Sequence, residues 1–328
     1  MRRREAPSVT AETPVAAEPA AAEPVPDASS TAQQPTAPAE PAAAAVPQFA
    51  AVPKPVPRPV SDEPRPPTRV MWMGRLGALG LLAVVPLSLA IFADRGSETG
   101  WNAFAVLSPI EGVLAAVSVW LLVDALRSGR VPTSVGAGAL LVIGASGTVS
   151  ALGLTDFSAD WSPTAAPYAI VVLGGFVLTS VAGVDSLRTA LPAAKPGAVG
   201  TGPLALGGAG VVAACVALFV TYDGESSLQD ELGELGQYFY CAAFPCLLAL
   251  GGLLALRGWL RFAAGALLAT GGVLAVHYLG IVLASARAIG EPGETGPAGF
   301  IGILGGVLIA AAGIYAYAAA RPQSEKAP

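Results

Sequence analysis

Apolar residues in this chain fall into long runs, neither alternating nor confined to one stripe of a helix. A membrane-spanning helix needs about 20 mostly apolar residues. Runs of that length predict spans over 75–93, 108–126, 135–154, 166–185, 203–222, 238–256, 262–284 and 299–320. The fold class expected is all-α, a polytopic transmembrane bundle of about eight helices over 70–321. Spans joined by such short connections form antiparallel pairs, giving four tandem two-helix hairpins.

The polar positions between the runs set the orientation. One alternate set of connections carries Arg127 and Arg130, Arg188 and Lys195, then Arg257 and Arg261, and Arg321 and Lys326 follow the last run. The other set holds only Arg95 and Arg287 but collects most acids, among them Asp94, Asp156, Asp160, Glu291, Glu294 and the group from Asp223 to Glu234. Cytoplasmic connections carry the excess of Lys and Arg. Both termini are therefore expected in the cytoplasm, in a multi-pass protein of the cell membrane. Trp101, Trp161, Tyr168 and Tyr222 at one set of run ends, and Trp72 and Trp259 at the other, fit interfacial belts.

Composition agrees with a bilayer as solvent. Apolar residues make up 53% of the chain and charged residues 12%, about half the charge of a soluble domain. The N-terminal stretch departs from this. Residues 1–69 hold sixteen of the twenty-nine prolines, long alanine runs and few large apolar residues. Such a segment buries too little surface to offset the entropy of ordering, so a disordered cytoplasmic tail is expected. Glu5 to Glu40 is acidic; Lys54 to Arg75 is mainly basic, and Pro53-Lys54-Pro55-Val56-Pro57 favours an extended polyproline rod. Pro64-Arg65-Pro66-Pro67 has the spacing of a P-x-x-P ligand. Residues 322–328 form a short cytoplasmic end.

Two hairpins look alike. Val123-Asp124-Ala125-Leu126-Arg127 recurs as Val184-Asp185-Ser186-Leu187-Arg188 sixty-one residues later. Gly77-Ala78-Leu79 matches Gly138-Ala139-Leu140 at the same offset, and Gly265-Ala266-Leu267 repeats the motif. Units with an even number of spans share one orientation and are related by an axis along the membrane normal.

Ionisable groups within spans are the candidate functional residues. Ser108-Pro109-Ile110-Glu111 reads as a capping box, which places Glu111 at a helix mouth. Asp124 and Asp185 stand near helix C-termini, where the helix dipole disfavours a negative charge, and are expected to pair with Arg127 and Arg188. His277 is the single histidine, a ligand for a permeation pathway or one interhelical hydrogen bond. Cys215, Cys241 and Cys246 lie in apolar runs and read as packing residues. Gly302 and Gly306 form G-x-x-x-G, a face for close helix approach within the bundle or in a homo-oligomer.

Gly144-Ala145-Ser146-Gly147 and His277-Tyr278-Leu279-Gly280 are similar to the G-x-S-G and H-x-x-G elements of rhomboid intramembrane proteases. The resemblance implies a Ser146–His277 dyad. Here the two fall on the third and seventh spans, entering from the inner side, which departs from the family's arrangement, and its further polar oxyanion residues are missing. The acids at 223–234 occupy some positions of a calcium loop, but Leu228 stands where the turn glycine belongs. The sequence contains no metal-ligand cluster, P-loop or dinucleotide fingerprint. No cofactor and no nucleic-acid partner are expected. The expectation is a non-enzymatic scaffold in the lipid bilayer that binds a cytoplasmic protein through residues 1–69. The alternative is a small-solute or ion permease with His277 in the pathway.

Overall fold

A computed structural model describes residues 63–95, 99–161, 164–191, 200–221, 236–288 and 296–320. The acid-rich connections at 222–235 and 289–295, residues 1–62 and the end at 321–328 lie outside them, whereas Asp94, Asp156 and Asp160 fall within helices. Nine helices appear among the described residues: α1 (Thr68–Leu81), α2 (Val84–Arg95), α3 (Thr99–Arg127), α4 (Thr133–Trp161), α5 (Ala166–Ala190), α6 (Thr201–Ala217), α7 (Gly236–Ala255), α8 (Leu260–Ala288) and α9 (Ala298–Ala319). Helices α1 and α2 make a single span, Thr68–Ile91. Pro86 has no N–H for the Leu82 carbonyl, and the chain steps through 3-10 bonds from Leu82 to Leu79 and Ala83 to Gly80 at that break.

Six helices are long and apolar enough to cross a membrane, and the apolar parts of α6 and α7, Thr201–Ala217 and Cys241–Ala255, are shorter. The molecule is thus a polytopic bundle of eight helical segments. Its outward surface is a belt of large apolar side chains, including Leu89, Leu121, Ile170, Leu247 and Leu254, which water would not tolerate but lipid tails accept. Buried positions are mostly Ala, Gly, Val and Leu, as expected where helix association depends on close packing instead of water expulsion.

The core divides into two clusters. One is built from α1 to α5 around Leu81, Leu87, Val119 and Leu140; the other from α6 to α9 around Leu256, Leu267, Leu274 and Ile309. The two halves repeat each other in their close glycine contacts. In the first, methyl groups added to Gly77 and Gly175 would each lie 2.9 Å from the other's carbonyl oxygen; in the second, Gly210 and Gly305 face each other at 2.7 and 2.8 Å. Gly74 abuts Val123, and Gly207 abuts Leu253. Gly144 and Gly183 bring α4 against α5, as Gly271 and Gly313 bring α8 against α9. Each position of the first half recurs about 130 residues later. The repeating unit of the packing is therefore four spans.

Helices α4 and α8 run parallel and cross where the halves meet. A methyl group on Gly138 would strike the Phe262 carbonyl, and one on Gly265 would strike that of Val135. These two glycines are equivalent in the repeat, so a pseudo-two-fold axis passes between them. The Gly302–Gly306 face is used inside this packing. Gly302 lies under the Tyr278 ring and Gly306 against Gly271 and Ala275, so both look onto α8 and neither lies on an outer surface.

Candidate functional site

The polar groups of the described residues collect at two places. The first is the bundle end at which α1, α4 and α8 begin. Residues 63–69, assigned to the tail on composition, are held there. Glu63 is almost buried, its side chain 7% exposed. Its carboxylate accepts the Ser134 backbone N–H at 2.7 Å, the Ser134 hydroxyl at 2.8 Å and an Arg261 N–H at 2.8 Å. Thr133 donates its hydroxyl to the Pro64 carbonyl at 2.7 Å. Ser134 is in the first turn of α4, where the backbone N–H groups lack intrahelical acceptors, and Arg261 occupies the matching turn of α8. Glu63 thus caps α4 through a backbone N–H and ties α8 to it through the Arg261 side chain, at the pseudo-axis, where both helix dipoles favour an anion. One acid preceding three prolines gives little sequence signal; the sign that existed was Ser134 and Arg261 holding equal places in the repeat.

Asp124 and Asp185 belong to the same end, but not to the pairs expected. Arg69 binds Asp185 through two contacts of 2.7 and 3.0 Å, and Arg75 binds Asp124 at 2.7 Å. Both arginines come from α1, which lies between α3 and α5. The pairs are interhelical because each aspartate turns toward α1, whereas Arg127 and Arg188 are exposed. Arg75 also lies over the Trp120 ring, 5.3 Å from its centre. The α3 C-terminus closes with Gly129 at φ 69°, Gly129 N–H to Leu126 and Arg130 N–H to Ala125, a Schellman ending.

The second place is toward the opposite end, between α3, α4, α7 and α8. Glu111 is not at a helix start: α3 begins at Thr99, and Pro109 sits inside it. The capping box fails because the helix continues a further two and a half turns or so before Ser108. One Glu111 oxygen lies 2.8 Å from where a methyl group on Gly280 would stand. Only a glycine in α8 admits the carboxylate so closely. Cys241 donates its thiol to the Ser150 hydroxyl at 3.1 Å and lies within electrostatic reach of Glu111. His277 is half-buried, one turn before Gly280 on α8. Tyr278, fully buried, turns the other way and donates to the Ala214 carbonyl of α6 at 3.0 Å.

Ser146 is buried, and its hydroxyl has no hydrogen-bond partner among the described residues, so no Ser146–His277 bond is formed. Among those residues, no group of His, Cys, Asp and Glu is placed to hold a metal ion. Comparison with protein-family models, with curated proteins and with solved structures yields no match.

Proposed function

We propose that the chain is a non-enzymatic multi-pass component of the cell membrane that presents its proline-rich tail to a protein partner in the cytoplasm. The observation that supports this is the segment just before α1: a nearly buried carboxylate, Glu63, fixes the chain that follows residues 1–62 to the end of the bundle. A segment meant only as slack would need no such anchor. The arginines at that end, including Arg127, Arg130, Arg188 and Arg257, favour the cytoplasmic side. Extended Pro-rich segments bind at low ordering cost, because polyproline II is already their preferred conformation.

The test is crosslinking and pull-down from native membranes with the full chain and with a chain lacking residues 1–62. A partner recovered only with the full chain supports the reading. Identical recoveries refute it. The deletion stops at 62 so that Glu63 stays in place.

One observation favours a second reading, a small-solute or ion permease. Glu111, Ser150 and Cys241 bring polar groups from three helices together inside an otherwise apolar bundle, next to Gly280 and one turn from His277. Intramembrane carboxylates commonly mark ion and proton routes. Flux into proteoliposomes that is lost in both Glu111→Gln and His277→Ala would favour this reading; unchanged flux would remove it.

A further inference from the structure

The internal repeat supplies a control that separates what the fold needs from what one half has added. Arg75 and Asp124 correspond to Gly208 and Leu254 in the second half, and Arg69 and Asp185 to Gly202 and Tyr315. Gly202 does face Tyr315, whose ring would lie 3.3 Å from a methyl group added there, so the same helix faces meet without any charge. The ion pairs of α1 are not required to pack four spans in this way. Charge at this end of the first half therefore calls for another explanation.

These charges border a cleft of about 400 Å³ lined by Arg65, Thr68, Met71, Trp72, Arg75 and Arg127. Three guanidinium groups converge there. Asp124 satisfies one side of Arg75, and the Arg75 Nε has no acceptor. Arg65 and Arg127 are exposed and have no ion-pair partner among the described residues. Arg65 is not loose: Glu63 and Pro64 are bound to α4 on one side of it, and its guanidinium lies 3.9 Å from a methyl position on Gly129. The cleft thus has an excess of fixed positive charge and a wall of apolar atoms.

Its continuation tells what kind of anion fits. Trp72, Leu76 and Leu79 are 60%, 52% and 53% exposed and follow one another at i, i+4 and i+7 on α1. They form an apolar track that leads from the cleft along the lipid-facing side of the first span. A tryptophan at the junction of charge and hydrocarbon is the residue that membrane interfaces favour. We infer that this cleft is a binding site for an anionic phospholipid. Its phosphate is held by Arg65, Arg75 and Arg127, and its acyl chain lies along Trp72, Leu76 and Leu79. Planar guanidinium forks suit phosphate oxygens. The inference does not depend on the tail-presenting reading.

The experiment compares phosphatidylglycerol with phosphatidylcholine bound to the purified full chain, counted by native mass spectrometry. The wild type retains phosphatidylglycerol preferentially. Each guanidinium beside a lipid phosphate contributes about five-fold, so Arg65→Gln with Arg127→Gln lowers that preference by roughly tenfold or more. A control pair, Arg188→Gln with Arg257→Gln, removes two exposed arginines outside the cleft and leaves the preference unchanged. An equal loss in both pairs means diffuse surface charge and overturns the inference, as does no preference in the wild type. Displacement of the lipid by millimolar inorganic phosphate assigns the cleft to a soluble phosphate compound and also overturns it. Quenching of tryptophan fluorescence gives a reading without substitution of any arginine. Brominated phosphatidylglycerol quenches more than brominated phosphatidylcholine, and the difference disappears in Trp72→Phe; if it persists, the lipid is not on this track.

Discussion

Replacing Glu63 by alanine should release the root of the tail while leaving the bundle folded. The carboxylate does two things that can be valued separately. It caps α4 through the Ser134 N–H and hydroxyl, and loss of a helix cap costs about 1 kcal/mol. It also pairs with Arg261, whose side chain is 31% exposed, so the pair lies well below the value of a fully buried one and contributes about 1 kcal/mol. Together they amount to about 2 kcal/mol, or roughly thirty-fold in the docking equilibrium. Hydrogen exchange reads this at defined amides. Residues 64, 66 and 67 are prolines, so the reporter is Ser134 in α4, whose N–H donates to Glu63. Exchange at Ser134 should accelerate by roughly thirty-fold in Glu63→Ala, with the centres of α4 and α8 unchanged. If Ser134 is as protected in the variant as in the wild type, Glu63 does not hold the root and the reasoning fails.

Asp124 should couple to Arg75 and not to Arg127: thermal unfolding in detergent micelles, analysed as double-mutant cycles, should give roughly 0.5–1 kcal/mol for the first pair and nothing measurable for the second. Gly306→Val should lower stability by about 1–3 kcal/mol, because the new atoms meet the Gly271 carbonyl and the Ala275 N–H, which cannot swing aside as a side chain would. Gly272→Ala, on the same helix pair but with open space at its methyl position, should change little in the same unfolding measurement. Should both variants lose equal stability, the close approach of α8 and α9 is not what the glycines provide.

The helices were legible because a bilayer imposes a length and a composition that few other structures share. Ala298–Ala319 matches the run at 299–320 to within a residue at each end, whereas Thr68–Ile91 begins about two turns before the run at 75–93. What failed was everything that depends on which helix stands next to which. Asp124 and Asp185 each had a visible arginine three residues on, while their actual partners, Arg75 and Arg69, lie in another span. Ser108-Pro109-Ile110-Glu111 satisfies the local grammar of a helix start, yet α3 runs through it. Gly302 and Gly306 announce a close contact without saying with what, and the partner is α8 of the same chain. The four-span repeat was partly visible in Gly138 and Gly265. In alanine- and glycine-rich helices its other equivalences resemble chance until paired contacts show that Gly77–Gly175 and Gly210–Gly305 are the same interaction. Averaged composition concealed Glu63, since one acid does not alter the character of sixty-nine residues.

The most direct test of the tail-presenting account is photo-crosslinking in native membranes from a benzophenone side chain placed at Val56, seven residues before the Glu63 anchor. The account predicts a discrete protein adduct of one partner at this position and none from a benzophenone at Leu254, which faces the lipid. An absence of protein adducts at Val56, or the same adducts at both positions, would contradict it.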